Sequence, residues 1–473
     1  MNTTKQRIRY ITGDFIGAFI GWLLYIFIRF QLTRDDWFMQ AYDSAISYML
    51  APGVILGIAF FPILALFIFY LSGYYNSVYF KSRLQELITT LLSTFCLSII
   101  MFFIILINDN YVGRLKNYEL IISMWVCVFF FVYIARLLVT EITLSKIRKG
   151  GLKFNTLIIG NNTSSIKFIN TLNRQPNSGY NIVGIISFPN ETEIAHTPIP
   201  VHSMDRLDDL CSAKKIHTII IVPNRHDKDE LFNLINKLFH YNIPIKITPE
   251  LYDIITSRIR HTNIFEEPLV DIAQSNMPES QKSIKRALDI ILSALALAIL
   301  SPMFAIVSIL IKRNSPGNII YKQERIGQHG KPFNIYKFRT MISDAEKDNI
   351  PQLSSNNDSR ITSVGKVLRK YRIDETPQFW NVLKGDMSLV GPRPERKYFV
   401  DQIIKSAPYY TLIYQVRPGI TSLGMVKFGY ATNIKEMIER AKYDLIYIEN
   451  MSILIDLKII TFTIKTVVTG KGL

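Results

Sequence analysis

Five stretches of about twenty apolar residues limit this chain more than any other feature. They fall at about 11–30, 52–71, 87–107, 118–138 and 287–311. Each is close to the ~20 residues that an α-helix needs to cross a hydrocarbon layer. The chain has 473 residues, 49% of them hydrophobic, and a mean hydropathy of +0.18. That is the composition of a membrane protein with room for two or three domains. A basic segment with Lys5, Arg7 and Arg9 precedes the first stretch, and no small-x-small cleavage site follows it, so the stretch reads as a helix rather than a signal peptide. Asp14 and Arg136 lie near stretch ends, where each is expected to reach lipid headgroups.

The first four stretches predict a transmembrane four-helix bundle over 1–145. Its first loop holds Asp35, Asp36 and Asp43 against Arg34, whereas the second holds Lys81 and Arg83 and the segment after the fourth helix holds Lys146, Arg148 and Lys149. The positive-inside rule places both ends of the bundle in the cytoplasm, although Arg114 and Lys116 in the third loop fit this less well. The fifth stretch is different. Lys285 and Arg286 precede it and Lys312 and Arg313 follow it, so both flanks favour the cytoplasmic side. Pro302 removes a helix hydrogen bond within it, and the Ser301 hydroxyl can take up a freed carbonyl. The expectation is a re-entrant membrane helix over 282–313, broken at Ser301-Pro302, with Asp289 near its start as a brace to the following domain.

Between the bundle and this helix, 150–273 reads as an α/β domain of Rossmann type. Strand-like runs at 155–160, 182–186 and 218–223 alternate with helical patterns, which implies a parallel sheet. The turn after the first strand is Gly160-Asn161-Asn162-Thr163-Ser164-Ser165, which lacks two of the three glycines of a dinucleotide fingerprint. A structural or dimerising module is therefore expected, and dinucleotide binding is not. The three cysteines, Cys96, Cys127 and Cys211, form neither a CxxC nor a zinc pattern.

The remainder, 314–473, carries the chemistry. From Lys282 onward there are 29 Lys/Arg against 16 Asp/Glu, with no nucleic-acid-binding motif, so the charge points to phosphorylated substrates or anionic lipid. The centre is 372–394. It opens on Asp374-Glu375, closes on Pro392-Arg393-Pro394, and is approached through Lys366, Arg369, Lys370 and Arg372. A carboxylate among cations suits phosphoryl chemistry: the cations hold the anion and are expected to lower the carboxylate pKa. The same spacing also fits a capped helix start. Elsewhere, 343–353 reads as a polar loop, 397–404 as an interfacial amphipathic helix, and 453–468 as an apolar tail that either packs on the domain or lies on the membrane.

The 372–394 run resembles the signature of the monotopic phosphoglycosyl transferases, the bacterial initiating sugar transferases. So do Lys285-Arg286-Ala287-Leu288-Asp289, Ser301-Pro302, Gln323-Glu324-Arg325-Ile326-Gly327, Lys337-Phe338-Arg339-Thr340-Met341, Asp358-Ser359-Arg360-Ile361-Thr362 and Arg417-Pro418-Gly419-Ile420-Thr421, in that order. The resemblance covers about Lys282 to the C-terminus. It implies the large form, in which a membrane bundle and a degenerate Rossmann-like domain precede a mainly α catalytic domain. It also implies transfer of a sugar 1-phosphate from a UDP-sugar to undecaprenyl phosphate through a phosphosugar-aspartyl intermediate, at the cytoplasmic face of the inner membrane. Asp374 is then the nucleophile and the Mg²⁺ contact, and Glu375 positions metal or nucleophile or handles a proton. Arg393 holds phosphate, and Lys337, Arg339, Arg325, Arg360 and Arg417 are further diphosphate or uridine contacts. Lys285, Arg286, Asp289, Ser301 and Pro302 are structural. Membrane lipids are partners, and a homodimer is an expectation from the architecture.

Two rival readings make different demands. A membrane-bound nucleotide-sugar dehydratase or epimerase needs an intact glycine-rich turn and a Tyr-x-x-x-Lys pair, and no Tyr here is followed four positions later by Lys. A non-catalytic scaffold explains the first half and leaves 374–394 without a purpose.

Overall fold

The computed structural model describes residues 3–468 apart from 37–38, 77–78, 80, 82, 109–113, 175–178, 188–198, 214–215, 224–227, 240, 242, 249–269, 272–276 and 343–357. The polar stretch at 343–353 lies outside the described residues. The first third is helical: α1 (Thr3–Thr33), the short α2 (Ala45–Met49), α3 (Pro52–Leu71), α4 (Arg83–Asn108) and α5 (Arg114–Arg148). All but α2 are long and apolar enough to cross a membrane. Helices α1 and α5 pack closely because glycines face the crossing. A Cβ on Gly17 would stand 2.9 Å from the Phe131 carbonyl oxygen, and one on Gly21 would stand 2.9 Å from Val128 Cα. Small residues let membrane helices approach this closely. Gly21→Val is expected to force the helices apart and cost ~1–3 kcal/mol as overpacking against backbone. A lowered melting temperature in detergent would register it, and a variant melting like the parent would refute the contact.

Asp14 and Arg136 do not reach headgroups separately, as the sequence suggested. They reach each other. Arg136 Nε and Nη2 donate to Asp14 Oδ1 and Oδ2, both at 2.8 Å, and both side chains are 0% exposed. The Tyr75 hydroxyl donates to Asp14 Oδ2 at 2.8 Å, and Arg136 Nη1 donates to Thr90 Oγ1 at 2.9 Å. Glu86 accepts from the hydroxyls of Tyr74 and Thr140. Burying a charge is tolerable only with such partners, and a fork-shaped guanidinium on a carboxylate supplies them.

A six-stranded sheet follows, built from β1 (Phe154–Ile159), β2 (Tyr180–Ile186), β3 (Val201–His202), β4 (Thr218–Ile221), β5 (Ile245–Ile247) and β6 (Val270–Asp271). Helices α6 (Thr163–Arg174), α7 (Leu207–Ala213) and α8 (Lys228–Phe239) lie between its strands in sequence. The strand order β3-β2-β1-β4-β5-β6 is parallel except for β6, and it reverses between β1 and β4. Ligands of doubly wound sheets enter at that reversal. Here Asn162 Nδ2 donates to the Val222 carbonyl at 3.1 Å, and Asn162 Oδ1 accepts from Ser165 N at 2.9 Å. The residue that replaces a fingerprint glycine thus links the ends of β1 and β4 across the crevice.

Helix α9 (Glu279–Asn314) runs on through Pro302 as one helical segment rather than breaking there. The carbonyl that Pro302 deprives of its donor belongs to Ala298, and Ser301 Oγ donates to it at 2.8 Å. Near the start of α9, Arg286 donates to the Val382 and Leu383 carbonyls at 2.7 and 3.1 Å, and Asp289 Oδ1 accepts from Leu389 N at 3.1 Å. Lys285 pairs with Asp456 at 2.6 Å. Near its end, the Phe304 ring meets Phe338 edge-on at 5.2 Å and Asn314 Nδ2 donates to Ser363 Oγ at 3.1 Å. Among the described residues little covers its middle, and Ile299 is 74% exposed.

The last part comprises the β7 (Ile320–Ile326) and β8 (Pro332–Phe338) antiparallel pair, α10 (Ser363–Lys370), α11 (Gln378–Lys384), β9 (Ser388–Val390), α12 (Lys397–Ser406), β10 (Gly419–Thr421), α13 (Leu423–Lys427), α14 (Ile434–Glu449) and α15 (Ile453–Val468). Helix α12 is not interfacial on its apolar side. Phe399, Val400 and Ile403 are buried in one core with Tyr410, Met437 and Tyr447, because a neighbouring helix takes up the face that the sequence left open. Helix α15 packs on the domain through Ile459, which is buried in that core, and leaves Leu454, Leu457, Phe462 and Ile464 exposed.

Candidate active site

Helix α10 ends at Lys370, and two residues later Arg372 takes the left-handed conformation, with φ 53° and ψ 25°. A non-glycine residue there costs on the order of 1–3 kcal/mol and marks a place where the fold holds strain. The turn sends Ile373–Glu375 into one 3₁₀ turn, closed by Glu375 N on the Arg372 carbonyl, and Pro377 leads into α11. Asp374 and Glu375 are thereby set side by side, 9% and 5% exposed.

The cations take only one of the two. Lys337, delivered by β8, donates to Glu375 Oε1 at 2.8 Å, and Arg393 Nη2 approaches the same oxygen at 3.3 Å. Arg372 Nη1 stands 3.5 Å from Glu375 Oε2. Asp374 makes no hydrogen bond or ion pair with the described residues. The electrostatics follow. Burial alone would push Glu375 up, but Lys337, Arg393 and Arg372 outweigh it and hold its carboxyl well below the usual range. Asp374 moves the other way: burial and the neighbouring charge of Glu375 push it up to about 6, despite Lys337, Arg369 and Arg372. This corrects the expectation that the cations lower the Asp374 pKa. The result is a weakly committed, more basic carboxylate beside a fully committed one.

Arg393 is fixed from behind by residues that no local pattern in the sequence announced. Asp444 Oδ2 accepts from Arg393 N at 3.4 Å and Asp444 Oδ1 accepts from Gly424 N at 2.8 Å. Glu395 is gripped by Arg325 at 3.2 Å and by Arg440. Arg440 and Asp444 lie four apart on α14, so one helix face supplies both. That spacing was available in the sequence, but the partner some fifty residues away was not. Tyr430 was also missed. Its ring centroid lies 5.1 Å from Arg372 Cζ and 5.5 Å from Arg393 Cζ.

The other candidate cations have intramolecular duties. Arg339 donates to the Pro316 and Ser315 carbonyls at 2.6 and 2.7 Å, which seats the end of α9. Arg360 is bound to Asp358 at 2.8 and 2.6 Å. Arg325 donates to Gln323 as well as Glu395. Arg417 makes no hydrogen bond or ion pair with the described residues. Burial and the nearby charge of Arg286 lower its pKa, against the opposing charges of Asp289 and Tyr70.

Comparison with known proteins decides the family. Residues 280–470 match a family model described as bacterial sugar transferase, and residues 70–249 match one described as CoA-binding domain. A UDP-glucose:undecaprenyl-phosphate glucose-1-phosphate transferase of Klebsiella pneumoniae is 33% identical over 67% of this chain and 68% of its own length. The chain belongs to the bacterial sugar transferase family, in its large form. A UDP-N-acetylgalactosamine-undecaprenyl-phosphate N-acetylgalactosaminephosphotransferase of Aeromonas hydrophila is 39% identical over 49% of this chain, and that match spans about half, 54%, of the relative. A UDP-glucose:undecaprenyl-phosphate glucose-1-phosphate transferase of Escherichia coli (strain K12) is 30% identical over 65% of this chain and 66% of the relative. The family match covers the whole of the Asp374-Glu375 cluster.

Proposed function

We propose that this membrane enzyme transfers a hexose 1-phosphate from a UDP-sugar to undecaprenyl phosphate, in two displacements through Asp374. A carboxylate oxygen of Asp374 attacks the sugar-side phosphorus, the bond to the bridging oxygen breaks, and UMP leaves with that oxygen. An oxygen of undecaprenyl phosphate then attacks the same phosphorus and the acyl phosphate bond breaks. Undecaprenyl-diphospho-sugar departs and the carboxylate is restored. Splitting one displacement into two is the established use of a carboxylate nucleophile. The observation that carries this reading is the unequal pair: Glu375 holds Lys337, Arg372 and Arg393 in place, and Asp374 is left free to attack. Three cations against two carboxylates leave the cluster net positive, which favours a diphosphate.

Mg²⁺ fits this donor set. Among the described residues no three His, Cys, Asp or Glu side chains converge on a metal site. Mg²⁺ needs no such cage, since it commonly takes one or two carboxylates with phosphate oxygens and water. Asp374 is the carboxylate available to hold it, and the ion would supply charge neutralisation on the diphosphate.

The membrane arrangement belongs to the same reading. In this reading helix α9 is re-entrant: it stays helical through Pro302 but bends there, and so enters and leaves the cytoplasmic leaflet of the inner membrane. Its two ends both rest on the catalytic part, while its middle is apolar and exposed, which supports entry from one side. The reaction would be the first membrane step of exopolysaccharide, capsule or O-antigen synthesis.

The test is UMP release by the full chain in nanodiscs, given undecaprenyl phosphate, Mg²⁺ and a panel of UDP-sugars. UMP is expected with one donor and is expected to fall to background when the metal is chelated or the lipid phosphate omitted. Well-folded protein that releases no UMP from any UDP-sugar would refute the reading.

A further inference from the structure

Two of the three cations on Glu375 share a second contact. Arg372 and Arg393 both direct their guanidinium carbons over the ring of Tyr430, at 5.1 and 5.5 Å. Tyr430 comes just after α13, where Gly429, with φ 89°, turns the chain. The residue is 40% exposed, and its ring lies beside the two guanidiniums. Arg372 has little else to hold it. Its Nε is buried without a hydrogen-bond partner, and its approach to Glu375 is a loose 3.5 Å.

That looseness matters because a better partner lies next to Glu375. Asp374 is ionisable, accepts no hydrogen bond from the described residues, and is two residues from Arg372. A guanidinium that swung to it would form a stronger pair than the one it leaves and engage both carboxylate oxygens, leaving none to attack phosphorus. We infer that Tyr430 is a positioning residue: its ring pins Arg372 and Arg393 against Glu375 and so keeps the Asp374 carboxylate unpaired. This rests on Asp374 as the nucleophile proposed above. It assigns the role to the aromatic face, which attracts a guanidinium, and none of it to the hydroxyl.

The ring and its hydroxyl can be separated with Tyr430→Phe and Tyr430→Leu, and Tyr430→Ser serves as a second ring deletion because the half-exposed position leaves no closed cavity. The first readout is carbodiimide-and-amine labelling of Asp374 in the full chain, followed by peptide mass spectrometry. The second is the kinetics of UMP release. Labelling in Tyr430→Phe is expected to match the parent, and in the two ring deletions to slow by about tenfold, the upper part of the range for a cation–π contact. In the ring deletions kcat is expected to fall about tenfold while the KM for UDP-sugar moves little, and Tyr430→Phe restores both. Ring deletions that label Asp374 at the parent rate, or a Phe variant that behaves like them, would overturn the assignment. The two ideas fail separately. A parent that releases no UMP, with labelling still lost on ring deletion, sinks the proposed reaction and leaves Tyr430 its role. A fully active parent whose ring deletions change neither readout sinks the role of Tyr430 alone.

Discussion

Asp374→Asn is expected to abolish UMP release, lowering turnover at least ~10³-fold, which is ~4 kcal/mol of transition-state stabilisation. The substitution keeps the size and shape of the side chain and removes the oxygen nucleophile. The neighbouring carboxylate cannot take over. Glu375 is bound by Lys337 at 2.8 Å, with Arg393 and Arg372 close by, so its oxygens are occupied and its pKa is held low. Folding should not suffer, because Asp374 makes no side-chain hydrogen bond or ion pair with the described residues that the variant would lose. Two measurements check this. UMP release in nanodiscs should be at background in the variant, and mass spectrometry of the parent incubated with donor alone should find a phosphosugar adduct on the peptide containing Asp374. An Asn variant within tenfold of the parent would rule out Asp374 as the nucleophile.

How much of this was legible beforehand depends on the distance over which each feature is encoded. Long apolar runs and βα alternation are local, so the apolar helices and the parallel sheet could be read from the chain. The adjacency of Asp374 and Glu375 is local as well. Which of them the cations would choose is not, because Lys337 and Arg393 arrive from 38 and 18 residues away and their reach is set by β8 and the 391–394 segment. Charge counting near Asp374 therefore assigned the pKa shift to the wrong carboxylate. The same limit misread α12, whose apolar face has the periodicity of a membrane-surface helix and is covered by α14. It also left Arg339 and Arg360 as free cations, although one is seated on backbone carbonyls and the other on Asp358. Glycine spacing was the reverse case. Gly13, Gly17 and Gly21 recur every four residues in the first apolar run, a local signal of close helix contact that the sequence reading did not use.

The largest stability effect is expected at the other end of the molecule. Arg136→Leu should destabilise the N-terminal helices by ~3–5 kcal/mol, the usual cost of stranding one member of a buried ion pair. Arg136 gives Asp14 two hydrogen bonds of 2.8 Å, so among the described residues the variant would leave Asp14 with only the Tyr75 hydroxyl as a donor, at 0% exposure. Thr90 would lose a donor too. Among apolar helices there is no water to replace these partners. The consequence should not stop at the helices. Tyr74 and Tyr75 belong to the turn after α3, and the same turn carries Asn76, which donates to Ser283 Oγ at 3.1 Å near the start of α9. A second substitution distinguishes a stranded charge from lost packing. Asp14→Leu alone should also destabilise, because it strands Arg136, whereas the double variant Asp14→Leu/Arg136→Leu should recover most of the loss. Replacing both charges with apolar groups removes the desolvation cost along with the attraction. Thermal unfolding in detergent, followed by the monodisperse fraction on gel filtration, would measure all three. A double variant that loses the sum of the single losses would mean that the two residues act independently, and the buried pair between α1 and α5 would not be the link that holds them.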